Sequence, residues 1–173
     1  FMSYLIDENQ LRILNFNRLV KHLNGLSPEE LLIEIKKKYT IIQKNKITYA
    51  PNIQNEISMY LNKKWYSLTA NKQKYASISR SLDPSILSEN ILNPLLNIID
   101  ERTNKDIKSL NGTIPLTTIK KLVDCGEYAV AFILKSIPIS LIKQVADNNE
   151  TMPPKSTYVE PKLRSGLTIY PII

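Results

Sequence analysis

Cysteine and histidine each occur once in the 173 residues. The lone Cys125 cannot close an internal disulfide, which fits a reducing compartment and makes the cytoplasm the expected location. Placed between Asp124 and Gly126, it reads as a helix-end residue rather than a nucleophile, since no histidine is near in sequence. His22 has no partner at a spacing that suits zinc or a catalytic triad, so a metal site built on imidazole or thiolate is excluded. No apolar run approaches the ~20 residues needed to span a bilayer. The opening FMSYLI is too short and wrongly flanked for a signal peptide, so no membrane partner is expected. No glycine-rich loop precedes Lys155-Ser156, which removes the phosphate-loop pattern, and no internal repeat is visible.

What is present is ordinary for a globular protein: 43% hydrophobic and 23% charged residues, enough chain for one full-sized core. The formal net charge of +7 invites a nucleic-acid partner. The lysines are too dispersed for that, with tight runs only at Lys36-Lys37-Lys38, Lys63-Lys64 and Lys120-Lys121, and the tyrosines are not interleaved with them. A nucleic-acid role is therefore disfavoured.

Taken in order, the apolar runs 2–6 and 11–14 read as a hairpin. The segment 15–25 carries Phe16, Leu19, Val20 and Leu23 at helical spacing and ends on Asn24-Gly25. Ser27-Pro28-Glu29-Glu30 is a capping box opening a helix to about Lys38, whose lysine triplet sits where the helix dipole favours cations. A strand is expected over 39–42. A second hairpin follows, 57–61 against 65–68, with one of Trp65 and Tyr66 in the core and the other at a surface. Asp83-Pro84 opens a helix that Pro94 should kink or stop near Asn93. The polar stretch Asp100-Glu101-Arg102-Thr103 could serve a site. A strand over 107–110, a helix over 115–124, a central strand over 128–134 and a helix from Pro138 complete the pattern. The expected architecture is α+β, or α/β, with a mixed β-sheet.

The most distinctive stretch is MPPKSTYVEPKLRSGLTIYPII, from Met152. Pro153, Pro154 and Pro161 stiffen it and push the preceding residues out of the helical region. Lys155, Lys162 and Arg164 supply charge, Ser156 and Thr157 supply hydroxyls, and Gly166 lets backbone approach a ligand, which together suit an anion site. The competing reading is a rigid connector with solvated charges. The run 167–173 reads as a terminal strand anchoring the loop.

That tail, within GEYAVAFILKSIPISLIKQVADNNETMPPKSTYVEPKLRSGLTIYPII, resembles the end of a bacterial and archaeal family, domain of unknown function number one thousand and fifteen. LRILNFNRLVKHLNGLSPEE, MYLNKKWYSL and LDPSILSENILNPLLNIIDERTNKDI resemble its earlier parts. Many relatives carry a histidine directly before the arginine of the first motif, where this chain has Asn17 before Arg18. The resemblance implies that the 173 residues are one domain, the C-terminal region of a longer protein, and suggests a link to serine metabolism and small-molecule serine kinases. It adds Arg18 as a second anion clamp; the residue alone would read as a solvent-facing arginine. Two classes of function follow. One is part of an enzyme binding a phosphorylated or carboxylated metabolite, with Mg²⁺ and a nucleotide as the cofactors phosphoryl transfer would need. The other is a non-enzymatic domain packing on a missing N-terminal region or on a second copy of itself.

Overall fold

The β-strand at Phe16–Val20 (β2) follows a short strand at Arg12–Leu14 (β1) and is paired with a neighbour on each side. A computed structural model describes residues 5–71 and 74–162. The remaining elements in chain order are α1 (Pro28–Lys36), β3 (Tyr39–Lys44), β4 (Glu56–Leu61), β5 (Lys64–Ala70), α2 (Asp83–Leu87), β6 (Ile107–Asn111), α3 (Leu116–Asp124), β7 (Val130–Ile133), α4 (Ile139–Asp147) and β8 (Tyr158–Glu160). Six strands form one sheet in the order β3-β5-β4-β7-β2-β6, and β1 and β8 form a separate two-stranded ribbon. The α+β class is as expected, but the sheet is not mixed: each of its ladders runs antiparallel.

Segment 15–25 is the clearest departure from the sequence reading. Its core is a strand, paired with β6 on one side and with β7 on the other, Arg18 opposite Phe132 and Val20 opposite Val130. A strand covered on both faces shows a continuous apolar run, and over five residues such a run fits a helical stripe equally well. Val20 faces the larger core with Leu31 and Ile35 of α1 and Ile86 and Leu87 of α2. Leu19 faces a second core with Ile119 of α3, Tyr60 and Trp65. The same two-sided cover explains why Trp65 and Tyr66 are both buried, where the expectation put one of them at a surface.

Other local signals hold. The Ser27 hydroxyl accepts from the Glu30 amide and the Glu30 carboxylate from the Ser27 amide, both halves of the capping box. The β4–β5 hairpin turns on Asn62 and Lys63, at φ of 46° and 61°, the left-handed pair that a two-residue turn requires. α2 widens into a π turn over Ser88–Leu92 and stops at Asn93. Pro94 has no N–H to continue the ladder, and its ring would meet the carbonyl one turn back.

Most of the first strand of the expected N-terminal hairpin, over 2–6, lies outside the described residues. Glu8–Gln10 make a single tight turn capped by Asp7. β1 pairs with β8, Ile13 opposite Val159. This pairing brings the proline loop to the strand just before β2, and not to an edge of the six-stranded sheet. The expected strand over 167–173, with Gly166, lies outside the described residues.

The turn after β6 is closed against β1 and β2. The Gly112 amide donates to the Asn15 carbonyl at 2.8 Å. A Cβ on Gly112 would stand 2.5 Å from Asn15 Oδ1, 3.2 Å from Leu14 Cβ and 3.3 Å from the Asn15 carbonyl oxygen. Gly112→Ala should therefore cost about 1–3 kcal/mol, as overpacking does. Thermal melting would show a loss of several degrees, and an unchanged melting temperature would mean that this contact yields freely.

Candidate functional site

Arg18 and Asn17 are adjacent in β2, so their side chains leave opposite faces of the sheet. Arg18 is not solvent-facing: it is fully buried, and its side chain ties its own strand to two segments remote in sequence. Its Nε donates to Glu101 Oε2 at 2.9 Å, Nη1 to the Phe16 carbonyl at 2.7 Å and Nη2 to the Pro154 carbonyl at 3.2 Å. Glu101 is itself only 7% exposed. Burial pulls the Arg18 guanidinium below its ordinary range, and the Glu101 carboxylate opposes that shift. A planar fork with donors in three directions suits this junction in a way a lysine could not.

The loop held by this junction contains most of the sequence-predicted binders. Lys155 follows Pro154 at a φ of 49°, a left-handed conformation that costs a non-glycine residue about 1 kcal/mol or more. Its Nζ lies 5.6 Å from the centroid of the Phe16 ring. Lys162 Nζ lies 4.2 Å from the centroid of the Tyr158 ring. The two rings meet edge to face at 5.8 Å, so both ammonium groups stand on one aromatic pair. Lys155 and Lys162 are exposed, Thr157 is half-buried and Ser156 is buried. Arg164 lies outside the described residues.

Beside the junction is a cleft of about 320 Å³, lined by Pro153 and Pro154 from the loop, by Asp100, Glu101 and Arg102, and by Ser85, Ser88 and Glu89 of the α2 segment. Lys155 and Lys162 are not in that lining. Asp100 is gripped by Arg102 through two side-chain hydrogen bonds and the Arg102 amide, which lower its pKa to about 2. Glu101 was legible as part of a polar cluster; its partner Arg18, 83 residues away, was not.

On the opposite face, Asn17 is 2% exposed and its Oδ1 accepts from Asn15 Nδ2. It lines a separate cleft with Lys135, Gly112 and the start of α3. Lys135 carries no signal in the sequence, since it simply follows the apolar run of β7.

A family model described as "Protein of unknown function (DUF1015)" matches residues 1–85. The match falls on the first part of the chain, not on the tail that carried the resemblance most specifically. No curated protein matches the chain. Among solved structures, the fold is similar to a mutant free serine kinase in complex with AMP, with a TM-score of 0.53 at 12% identity over 88% of this chain and 55% of that one. A mutant free serine kinase in complex with ADP gives 0.52 at 12% identity, covering 91% and 58%. A conserved hypothetical protein from Pyrococcus furiosus gives 0.51 at 14% identity, covering 88% and 57%. The chain therefore spans 55% to 58% of the length of these structures, and the likeness is one of fold.

Proposed function

We propose that this chain is part of a cytosolic enzyme that binds a small phosphorylated or carboxylated metabolite, with phosphoryl transfer on serine or phosphoserine as its chemistry. The observation that supports this most is the buried Arg18 junction, which fixes the proline loop beside a cleft with acidic and hydroxyl lining. The fold likeness to free serine kinases holding AMP or ADP supports the nucleotide half of the reading.

In this reading the groups divide by position. Lys155 and Lys162, with Arg164 further along, attract the anionic substrate, and Ser156 and Thr157 supply hydroxyl donors. Arg18 is a positioning residue rather than a free clamp, since its charge is already met by Glu101. Glu101 has a second carboxylate oxygen with no hydrogen-bond partner among the described residues, and it lines the cleft. That oxygen is suited to receive an ammonium group or a hydroxyl proton from serine. Mg²⁺ fits only in company: the described residues offer no cluster of three or more Asp, Glu, His or Cys. A cation there would be carried largely by the phosphates of a nucleotide.

Thermal melting in the presence of serine, phosphoserine, ADP and ATP tests the reading, because a ligand that binds only the folded state raises the midpoint. Phosphoserine or nucleotide should stabilise the protein, and Lys155→Ala with Lys162→Ala should weaken phosphoserine binding roughly tenfold, about 1.4 kcal/mol. No stabilisation by any of the four, or unchanged phosphoserine affinity in the double variant, would remove the proposal.

A further inference from the structure

We infer that a second anion site lies on the other side of β2, in the Asn17 cleft, and that it takes the phosphate group of a small phosphorylated metabolite. The cleft holds about 380 Å³, within the size range of small-molecule pockets. It does not involve the Arg18 junction or the proline loop, so it stands independently of the function proposed above.

Three features converge there. The first is the start of α3, a nine-residue helix with no side-chain cap. Pro115 has no N–H to offer, and the amides of Leu116 and Thr117 have no acceptor among the described residues. Free N–H groups at the positive end of a helix are a ready anion cradle. The second is Asn17, a polar side chain 98% removed from solvent on a strand interior. Asn15 Nδ2 donates to its Oδ1, which fixes the amide and leaves Nδ2 without a partner among the described residues, in the wall of the cleft. The buried side-chain atoms without a partner among the described residues are Ser58 Oγ and Asp83 Oδ2, so Asn17 Nδ2 is a donor that the cleft can reach rather than one sealed in protein.

The third feature is charge. Lys135 is the single charged residue in the described lining, and no carboxylate is part of it. Its Nζ donates to the Asn52 carbonyl, which leaves further N–H groups for a ligand. Ile114, Leu116, Ile133 and Leu134 give an apolar wall for the body of a metabolite, and the close Gly112–Asn15 contact holds the turn in place. Net charge, the helix-start amides and the Asn17 amide donor all favour a compact oxyanion over a cation or a neutral ligand.

The test is a titration of isotopically labelled protein with inorganic phosphate, then with phosphoserine, followed by nuclear magnetic resonance. Saturable shifts at the Leu116 and Thr117 amides and the Asn17 side-chain amide are expected with both. Lys135→Met, at a half-exposed site that should fold, is expected to weaken phosphate binding at least tenfold; Asn17→Leu should do the same if it folds. Lys155→Ala with Lys162→Ala should leave phosphate binding here unchanged, which separates this site from the loop. Absence of saturable shifts at Leu116 and Thr117, or full affinity in Lys135→Met, would overturn the inference.

Discussion

Arg18→Met is expected to destabilise the protein by about 3–5 kcal/mol, the usual result of removing one member of a buried ion pair. The cost comes mainly from what is left behind: a Glu101 carboxylate 7% exposed with no counter-charge, and the Phe16 and Pro154 carbonyls each short of a donor. For a chain of this length that corresponds to a fall in melting temperature of about 10 °C. Adding Glu101→Gln should restore a large part of the loss, because the stranded charge is gone. Urea melts of the single and double variants check both points. A single-variant loss under ~1 kcal/mol, the size of a surface pair, would mean that the junction does not hold the loop.

The second large effect is one of pH. Asp83 is 2% exposed, with Oδ1 accepting from the Asn55 amide at 2.8 Å and Oδ2 without a partner among the described residues. Burial raises its pKa from 3.8 to about 7; the Asn55 amide opposes the rise, Glu56 adds to it and Lys135 opposes it. Because the folded value is the higher one, the stabilising contribution is complete below about pH 4 and is lost as pH climbs towards 7. Three units correspond to roughly 4 kcal/mol across that window. Asp83→Asn cannot ionise, so its stability should vary far less between pH 4 and 8. It should exceed the parent at pH 8 by about 1–3 kcal/mol, after the cost of an unpaired amide hydrogen. Glu56 does not mask the effect. Burial raises it, but bonds from Ser67, Tyr49 and the Asn52 and Ile53 amides outweigh that and hold it below its ordinary value, so its loss falls at lower pH. Parallel profiles for variant and parent from pH 4 to 8 would rule out Asp83 as the titrating group.

Both effects depend on contacts distant in sequence, and that is where legibility ended. The capping box at Ser27, the left-handed turn at Asn62-Lys63 and the stop before Pro94 are local devices, decided within a few residues, and each is found where the residues put it. β2 fits a helical stripe in sequence because a short run buried on both faces has no period of its own; only its neighbours β6 and β7 make it a strand. The ribbon of β1 with β8 joins residues nearly 150 apart, beyond any local pattern. Within the candidate site, residue types were readable and partnerships were not. The proline loop and the Asp100–Thr103 cluster each stood out, yet nothing in the spacing said that one buried arginine joins them. Asn17 and Lys135, ordinary residues in sequence, became notable only through burial and the cleft they share.

The central claim is that a small anionic metabolite binds beside the loop that Arg18 anchors. The most direct test is to titrate phosphoserine, with and without ADP, into labelled protein and map the backbone amides that shift. The account predicts saturable shifts at Ser85, Ser88, Asp100 to Arg102 and Lys155 to Tyr158, reduced in Lys155→Ala with Lys162→Ala. Saturation with no shift in any of these segments, or no binding at all, would contradict it.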